Sequence, residues 1–283
     1  VTTRGMWRDA TAVAQQPLAS SSLVLQMQVM RRASELGLKV ILDGQGADET
    51  WLGYPRHLVL AVRESKLIHR PMIALRTAEK SGLGLRRWLL HWTYFRFGSV
   101  AAVRNTMRLR RAGINPDRES WRQVPSDSRR RGAGGVSAQI EEVHGEQLGA
   151  LLRYADRNSM AHSVEDRLPF LDSRLVDLAF ATPMDVKFRE GWSKWVLRRQ
   201  LAESVPAAIA WRRRKIGFAA SRTSFDISDK SVQRQINHSE ILKTLGVSHA
   251  DLTRVHDALA WRMYSVALWE DVAGVQTGGG SSS

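Results

Sequence analysis

The chain contains no cysteine. That absence excludes a disulfide framework, a thiolate metal site and a cysteine nucleophile. It fits a reducing compartment, and a cytoplasmic location is expected. No stretch reaches the roughly eighteen consecutive apolar residues that a membrane-spanning helix needs, so no membrane is expected as a partner. No secretory leader is apparent at the N-terminus. The 8 histidines never adopt an H-E-x-x-H or similar ligand spacing, so no zinc site is expected. Internal repeats are lacking too. Acidic residues are in short supply: 28 Asp and Glu face 42 Lys and Arg, a net charge of +14. Such an excess suits nucleic acid, an anionic surface or an anionic small ligand. The basic runs at 104–111 and Arg129-Arg130-Arg131 come with no nucleic-acid motif. They read as solvated faces and a loop, and nucleic acid is not expected to bind.

Apolar residues make up 43% of the 283 positions, enough for a sizeable core. The organising stretch is Leu38-Lys39-Val40-Ile41-Leu42-Asp43-Gly44-Gln45-Gly46-Ala47-Asp48-Glu49. Its first part is a short β-branched apolar run, the pattern of a buried strand. Gly44-Gln45-Gly46 permits a tight turn and a close approach of backbone to ligand. Asp48 and Glu49 stand where a helix would start. Carboxylates there are favoured by the helix dipole, and they can also hold Mg²⁺ through oxygen. A strand, a glycine turn and acids at the strand's carboxyl end is how open α/β sheets build nucleotide sites. An ordinary strand-turn-helix connection with an acidic N-cap explains the same residues.

Residues 1–16 show no clear period. Leu23, Met27, Met30 and Ala33 then predict a helix that stops at Gly37 and feeds the strand. Residues 56–113 read as helices, with Leu85, Trp88, Leu89 and Trp92 on one apolar face that suits a core. Residues 114–136 read as a mobile loop. A helix is predicted from Ser137 to Met160. Asp172 or Ser173 caps the next one, Ser193 caps another that runs to Val205, and 251–272 is amphipathic. The Gly/Ser tail at 273–283 is expected to be disordered.

A second stretch is Asp156-Arg157-Asn158-Ser159-Met160-Ala161 leading into Val164-Glu165-Asp166-Arg167-Leu168-Pro169-Phe170-Leu171-Asp172. A third runs from Lys194 and Leu197-Arg198 through Pro206 to Arg213-Arg214-Lys215-Ile216-Gly217-Phe218. With the glycine turn and Gly53-Tyr54, these resemble the synthetase domain of glutamine-dependent asparagine synthetases over roughly residues 15–272. The resemblance implies an α/β class with a Rossmann-like adenine-nucleotide hydrolase fold, a parallel sheet core and a largely helical C-terminal half. Residues 1–272 would form the synthetase domain. The family's upstream Ser-Gly-Gly-x-Asp-Ser phosphate loop and its N-terminal glutaminase domain are absent, so the domain is expected to be N-terminally incomplete and inactive alone.

The implied reaction is ATP-dependent. The side-chain carboxylate of aspartate is adenylated, and ammonia from glutamine gives asparagine, AMP and pyrophosphate. Fixed cations and backbone donors must then meet the growing phosphate charge. The cofactors implied are ATP and Mg²⁺, with Asp48 as metal ligand. Asp43, Gly44, Gly46, Asp48 and Lys194 would bind ATP and pyrophosphate. Lys215 would stabilise charge during adenylation. Gln45 stands where many members carry an acid and cannot itself act as a base at neutral pH, which leaves Glu49 and Asp43 as neighbours to consider. Asp156, Arg157, Glu165 and Arg167 could face the amino-acid substrate, whose ammonium and carboxylate want one partner of each sign. A salt-bridge network explains Glu165 and Arg167 equally well. The partners expected are aspartate or another carboxylate, ammonia from a glutaminase domain that the chain lacks and, as an open alternative, a second copy of the chain. Two other functions remain open: a related cyclase forming a β-lactam or a peptide macrocycle, and a catalytically incomplete module that binds a partner or RNA.

Overall fold

A computed structural model describes residues 3–81, 84–96, 134–213, 225–247 and 257–274, with positions 103, 106, 107, 110, 252 and 255. Lys215, the 114–133 part of the expected loop, the run 129–131 and most of 104–111 lie outside the described residues, as does the tail from 275 onward.

The architecture is mostly helical with a small parallel sheet. Helix α1 (Thr3–Ala14) leads to α2 (Ser22–Glu35), strand β1 (Val40–Leu42) and a single turn of helix, α3 (Ala47–Thr50). A 3₁₀ turn (Pro55–His57) joins α4 (Leu58–Glu64), α5 (Arg70–Lys80) and α6 (Leu85–Arg96). After α7 (Gly135–His144) and α8 (Glu146–Met160) comes β2 (Glu165–Arg167), then α9 (Ser173–Ala181) and α10 (Met184–Lys187). The last elements are α11 (Trp195–Leu201), α12 (Ala207–Ala210), α13 (Lys230–His238), α14 (Glu240–Thr244) and α15 (Asp257–Ala273). Among the described residues no helix is long and apolar enough to cross a membrane.

Two cores hold these elements. The larger joins α1, α2, α8 and α13 to α15 through Trp7, Leu23, Met27, Tyr154, Ile236, Trp261, Tyr264 and Leu268. The rings of Trp7, Phe225, Trp261 and Tyr264 meet mainly edge-on or tilted, with centroids 5.3–6.1 Å apart, inside the range where aromatic quadrupoles attract. The smaller core gathers Leu58, Val62, Ala78 and Trp88, with Trp92 against it.

Several expectations need correction. Residues 3–14 form a helix, because Trp7, Ala10, Thr11 and Ala14 share one buried face despite the polar residues between them. The predicted helix 137–160 breaks at Gly145, whose backbone is extended at ψ 165°, and resumes at Glu146. Of the four residues expected on the inner face of α6, Trp88 and Trp92 turn inward, while Leu85 and Leu89 are exposed. Helix α11 is preceded by Lys194 in a left-handed conformation, so Ser193 is not its cap.

The strand is shorter than expected and is not buried on both faces. β1 pairs with β2 in parallel, with Val40 opposite Glu165 and Leu42 opposite Arg167. Side chains alternate along a strand, so Val40 and Leu42 share one face, and both are exposed. Ile41 and Asp166 point the other way and are half-buried.

Candidate functional site

The glycine turn leaves β1 at its carboxyl end. Asp43 stays tied to the neighbouring strand, its N–H donating to the Arg167 carbonyl at 2.9 Å. Gly46 precedes α3 with φ +87°, in the left-handed region that favours glycine. A Cβ there would also press on the Leu171 side chain, which would have to shift. Gly44 meets no such crowding. Asp48 therefore sits in the first turn of α3 and is not its cap, which is Gly46. This overturns the N-cap account of Asp48.

Its carboxylate turns to a residue from far along the chain. Lys194 Nζ donates to Asp48 Oδ1 at 2.7 Å. Both side chains are partly buried, at 25% and 17% exposure, so the pair is reachable from solvent yet shielded enough to attract. Gly53 makes room for it: a Cβ at 53 would lie 2.0 Å from Asp48 Oδ1 and 2.8 Å from Lys194 Cε. Lys194 is presented by a φ of +51°, uncommon for a residue with a side chain. Arg198 supports that backbone. Its Nε donates to the Ser193 carbonyl at 3.0 Å, and its Nη1 donates to Ala210 and Arg212 carbonyls at 2.8 and 3.2 Å.

The other candidates are placed as follows. Gln45 is half-buried in the turn. Glu49 faces inward at 1% exposure and accepts the Tyr54 hydroxyl. Glu165 and Arg167 are not a buried network. They meet each other at 2.8 Å on the open face of the sheet, each more than half exposed, because alternation puts both beside Val40 and Leu42. Asp156 is exposed on α8. Arg157 reaches back to donate to the Ala14 carbonyl at the end of α1, a helix-capping contact. The structure thus unites Asp48 with Lys194 and Glu165 with Arg167, and it turns Arg157 to another helix.

Three features were not visible in the sequence. Asp166 faces Asp43 from the adjacent strand. Burial, and then the Asp43 charge, push its carboxyl up to about 6, and neither oxygen meets a donor among the described residues. Glu142 is 3% exposed and is held by Arg56 at 2.5 Å and by His57 Nε2 at 3.1 Å. Burial alone would raise the Glu142 carboxyl, but the hydrogen bonds from His57 and Arg56 outweigh it and bring it to about 2. Burial lowers His57, so its ring stays neutral; Nδ1 accepts from the Tyr54 N–H at 3.3 Å, which leaves Nε2–H to donate to Glu142. Finally, Lys187 is wholly buried and bonded to Gln139. None of these pairs has a local spacing signal, since 85 residues separate His57 from Glu142.

A model of the asparagine synthase family matches residues 4–271. Asparagine synthetase [glutamine-hydrolyzing] 1 of Bacillus subtilis is 27% identical over 235 residues, covering 71% of this chain and 34% of that protein. A putative asparagine synthetase [glutamine-hydrolyzing] of Mycobacterium bovis is 30% identical over 218 residues, covering 72% and 33%. A chicken (Gallus gallus) asparagine synthetase [glutamine-hydrolyzing] is 31% identical over 90 residues, covering 29% and 16%. The chain spans about a third of the length of the first two of these relatives. With the family model matched over nearly its whole length, the chain belongs to the asparagine synthase family.

Proposed function

We propose that this chain supplies the ATP-using part of an asparagine-synthetase-type amidotransferase, on a Rossmann-like adenine-nucleotide hydrolase fold formed by residues 1–272. It adenylates the side-chain carboxylate of aspartate and passes ammonia to it, with the ammonia coming from a glutaminase domain outside these residues. The observation that carries this reading is the Asp48–Lys194 pair at the carboxyl end of a parallel strand, where open α/β sheets take their ligands.

A lysine and a carboxylate beside a glycine turn suit a phosphate chain. Lys194 brings a compact positive charge, and Gly44 to Gly46 bring backbone donors. Mg²⁺ fits this donor set, because it is commonly held by one or two carboxylates together with substrate phosphates. When bound, it would neutralise charge growing on the phosphates. Asp48 would hold it and Lys194 would turn to a phosphate oxygen. Lys215 would meet charge that grows during adenylation, as the resemblance implies. Arg157 is engaged by α1, which leaves Asp156, Glu165 and Arg167 to face the amino acid. The complete amidotransferase would act in the cytoplasm, as a monomer or as a homodimer.

The test is aspartate-dependent ATP–pyrophosphate exchange by the complete amidotransferase, followed alongside glutamate release from glutamine. Exchange that ignores aspartate but responds to another carboxylate would move the substrate assignment. An absence of exchange with any carboxylate would sink the adenylation reading.

A further inference from the structure

Lys187 closes α10 with its side chain at 0% exposure. A buried ammonium is costly unless its donors are met. Among the described residues Lys187 forms no ion pair with a carboxylate. Its Nζ donates instead to Gln139 Oε1 at 2.6 Å. Burial lowers its ammonium to about 8.

Gln139 is equally buried and passes the contact on. Its Nε2 donates to the Thr50 carbonyl at 2.5 Å, at the end of α3. The Thr50 hydroxyl donates to the Gly46 carbonyl at 2.7 Å, and the Thr50 N–H donates to the same oxygen at 2.8 Å. A buried polar path therefore runs from the ammonium to the glycine turn, crossing from α10 to α7 to α3.

The path has a direction. An ammonium offers donors only, so the Gln139 amide must present oxygen to Lys187 and nitrogen to Thr50. The reverse orientation would set donor against donor at one end and oxygen against oxygen at the other. A neutral apolar residue at 187 would leave that orientation to the Thr50 carbonyl alone. Helix α3 is one turn long and cannot hold itself, since a single turn is the unfavourable nucleus of a helix.

We propose that Lys187 is a positioning residue for the Asp48 turn: through the Gln139 amide it fixes the end of α3, and with it the carboxylate that Lys194 meets. Its bearing on catalysis rests on the phosphate reading of that turn, whereas its geometry does not.

The test uses Lys187→Met and Gln139→Glu in the 283-residue chain. Replacing a buried charge by an apolar side chain is often neutral or stabilising, so Lys187→Met is expected to keep or raise the melting temperature. Amide exchange at Thr50, Trp51 and Gly53, whose N–H groups donate to the Gly46, Ala47 and Asp48 carbonyls, is nevertheless expected to speed up about tenfold. Gln139→Glu keeps an acceptor for Lys187 but sets a carboxylate oxygen against the Thr50 carbonyl, and the same three amides should exchange faster. Unchanged exchange at these amides in both variants overturns the proposal. So does a lowered melting temperature with exchange rising evenly over all helices, because that marks a packing defect. If Lys187→Met does not fold, Gln139→Glu decides the question alone. Pyrophosphate binding with Mg²⁺, measured by calorimetry, separates the two readings: faster exchange with unaltered binding supports the positioning role and removes the phosphate role of the turn.

Discussion

Lys194 Nζ and Asp48 Oδ1 stand 2.7 Å apart although 146 residues separate them in the chain. Two backbone irregularities present the pair: the left-handed Gly46 before α3 and the left-handed Lys194 before α11. Backbone held in sparsely populated conformations clusters at ligand sites, which is consistent with a role beyond stability.

Asp48→Asn keeps the shape of the side chain and removes its charge. The pair is partly solvent-reachable, so the stability cost should stay within about 1 kcal/mol. Aspartate-dependent ATP–pyrophosphate exchange in the complete amidotransferase should fall by about 10²–10³. Normal exchange in this variant would remove Asp48 from the metal and phosphate site.

Gly53→Ala should disturb the same pair from its other side. The added methyl would lie 2.0 Å from Asp48 Oδ1 and 2.8 Å from Lys194 Cε, so one of them must move. Overpacking of this kind typically costs about 1–3 kcal/mol. Chemical denaturation should show that loss, and calorimetry should show weaker pyrophosphate binding. A variant that binds as tightly as the parent would mean that the pair is not the binding geometry.

Lys215→Ala in the complete amidotransferase should still bind ATP while releasing pyrophosphate about 10²–10³ more slowly, because a positioned cation acts on charge that grows in the transition state. Lys215→Arg should restore little, since the guanidinium is planar and larger. Glutamate release should continue in both. Parallel assays of pyrophosphate and glutamate check this, and unchanged pyrophosphate release in the Ala variant would return Lys215 to the basic surface.

The Glu142 cluster predicts a pH response. His57 is lowered from 6.5, so below that pH the unfolded chain binds a proton that the folded ring refuses, and stability falls with acidification. Glu142 is lowered from 4.5 to about 2, so its contribution is complete above 4.5 and is lost as the pH drops through about 2. Melting temperatures between pH 7 and 2 should decline in both windows. Glu142→Gln should cost about 3 kcal/mol at neutral pH, because it leaves Arg56 without its anion, and should flatten the lower window. A parallel, undiminished decline in the variant would place the acid sensitivity elsewhere.

The apolar spacing of Leu23, Met27, Met30 and Ala33 was enough to locate α2, and all four are buried as that period requires. The β-branched run before Asp43 located β1, and three separated motifs were enough to place the chain in its family. Helix α1 carries no strong apolar period, because its buried face is made of Trp7, two alanines and a threonine.

Local sequence thus determined the positions of α2, β1, α9, α11 and α15 and the kinds of residue gathered at the turn, because periodicity and turn chemistry act over only a few residues. Which partner each distant charge meets was decided by the tertiary structure. The cap reading of Asp48 stood until Gly46 took that position and Lys194 met its carboxylate. Arg157 meets the end of α1, a contact that no local spacing announces. Glu165 and Arg167 could be buried until strand alternation placed them on the open face. A charge settles with whatever partner the fold brings within a few ångströms, and at separations such as the 146 residues between Asp48 and Lys194 no spacing rule encodes that partner.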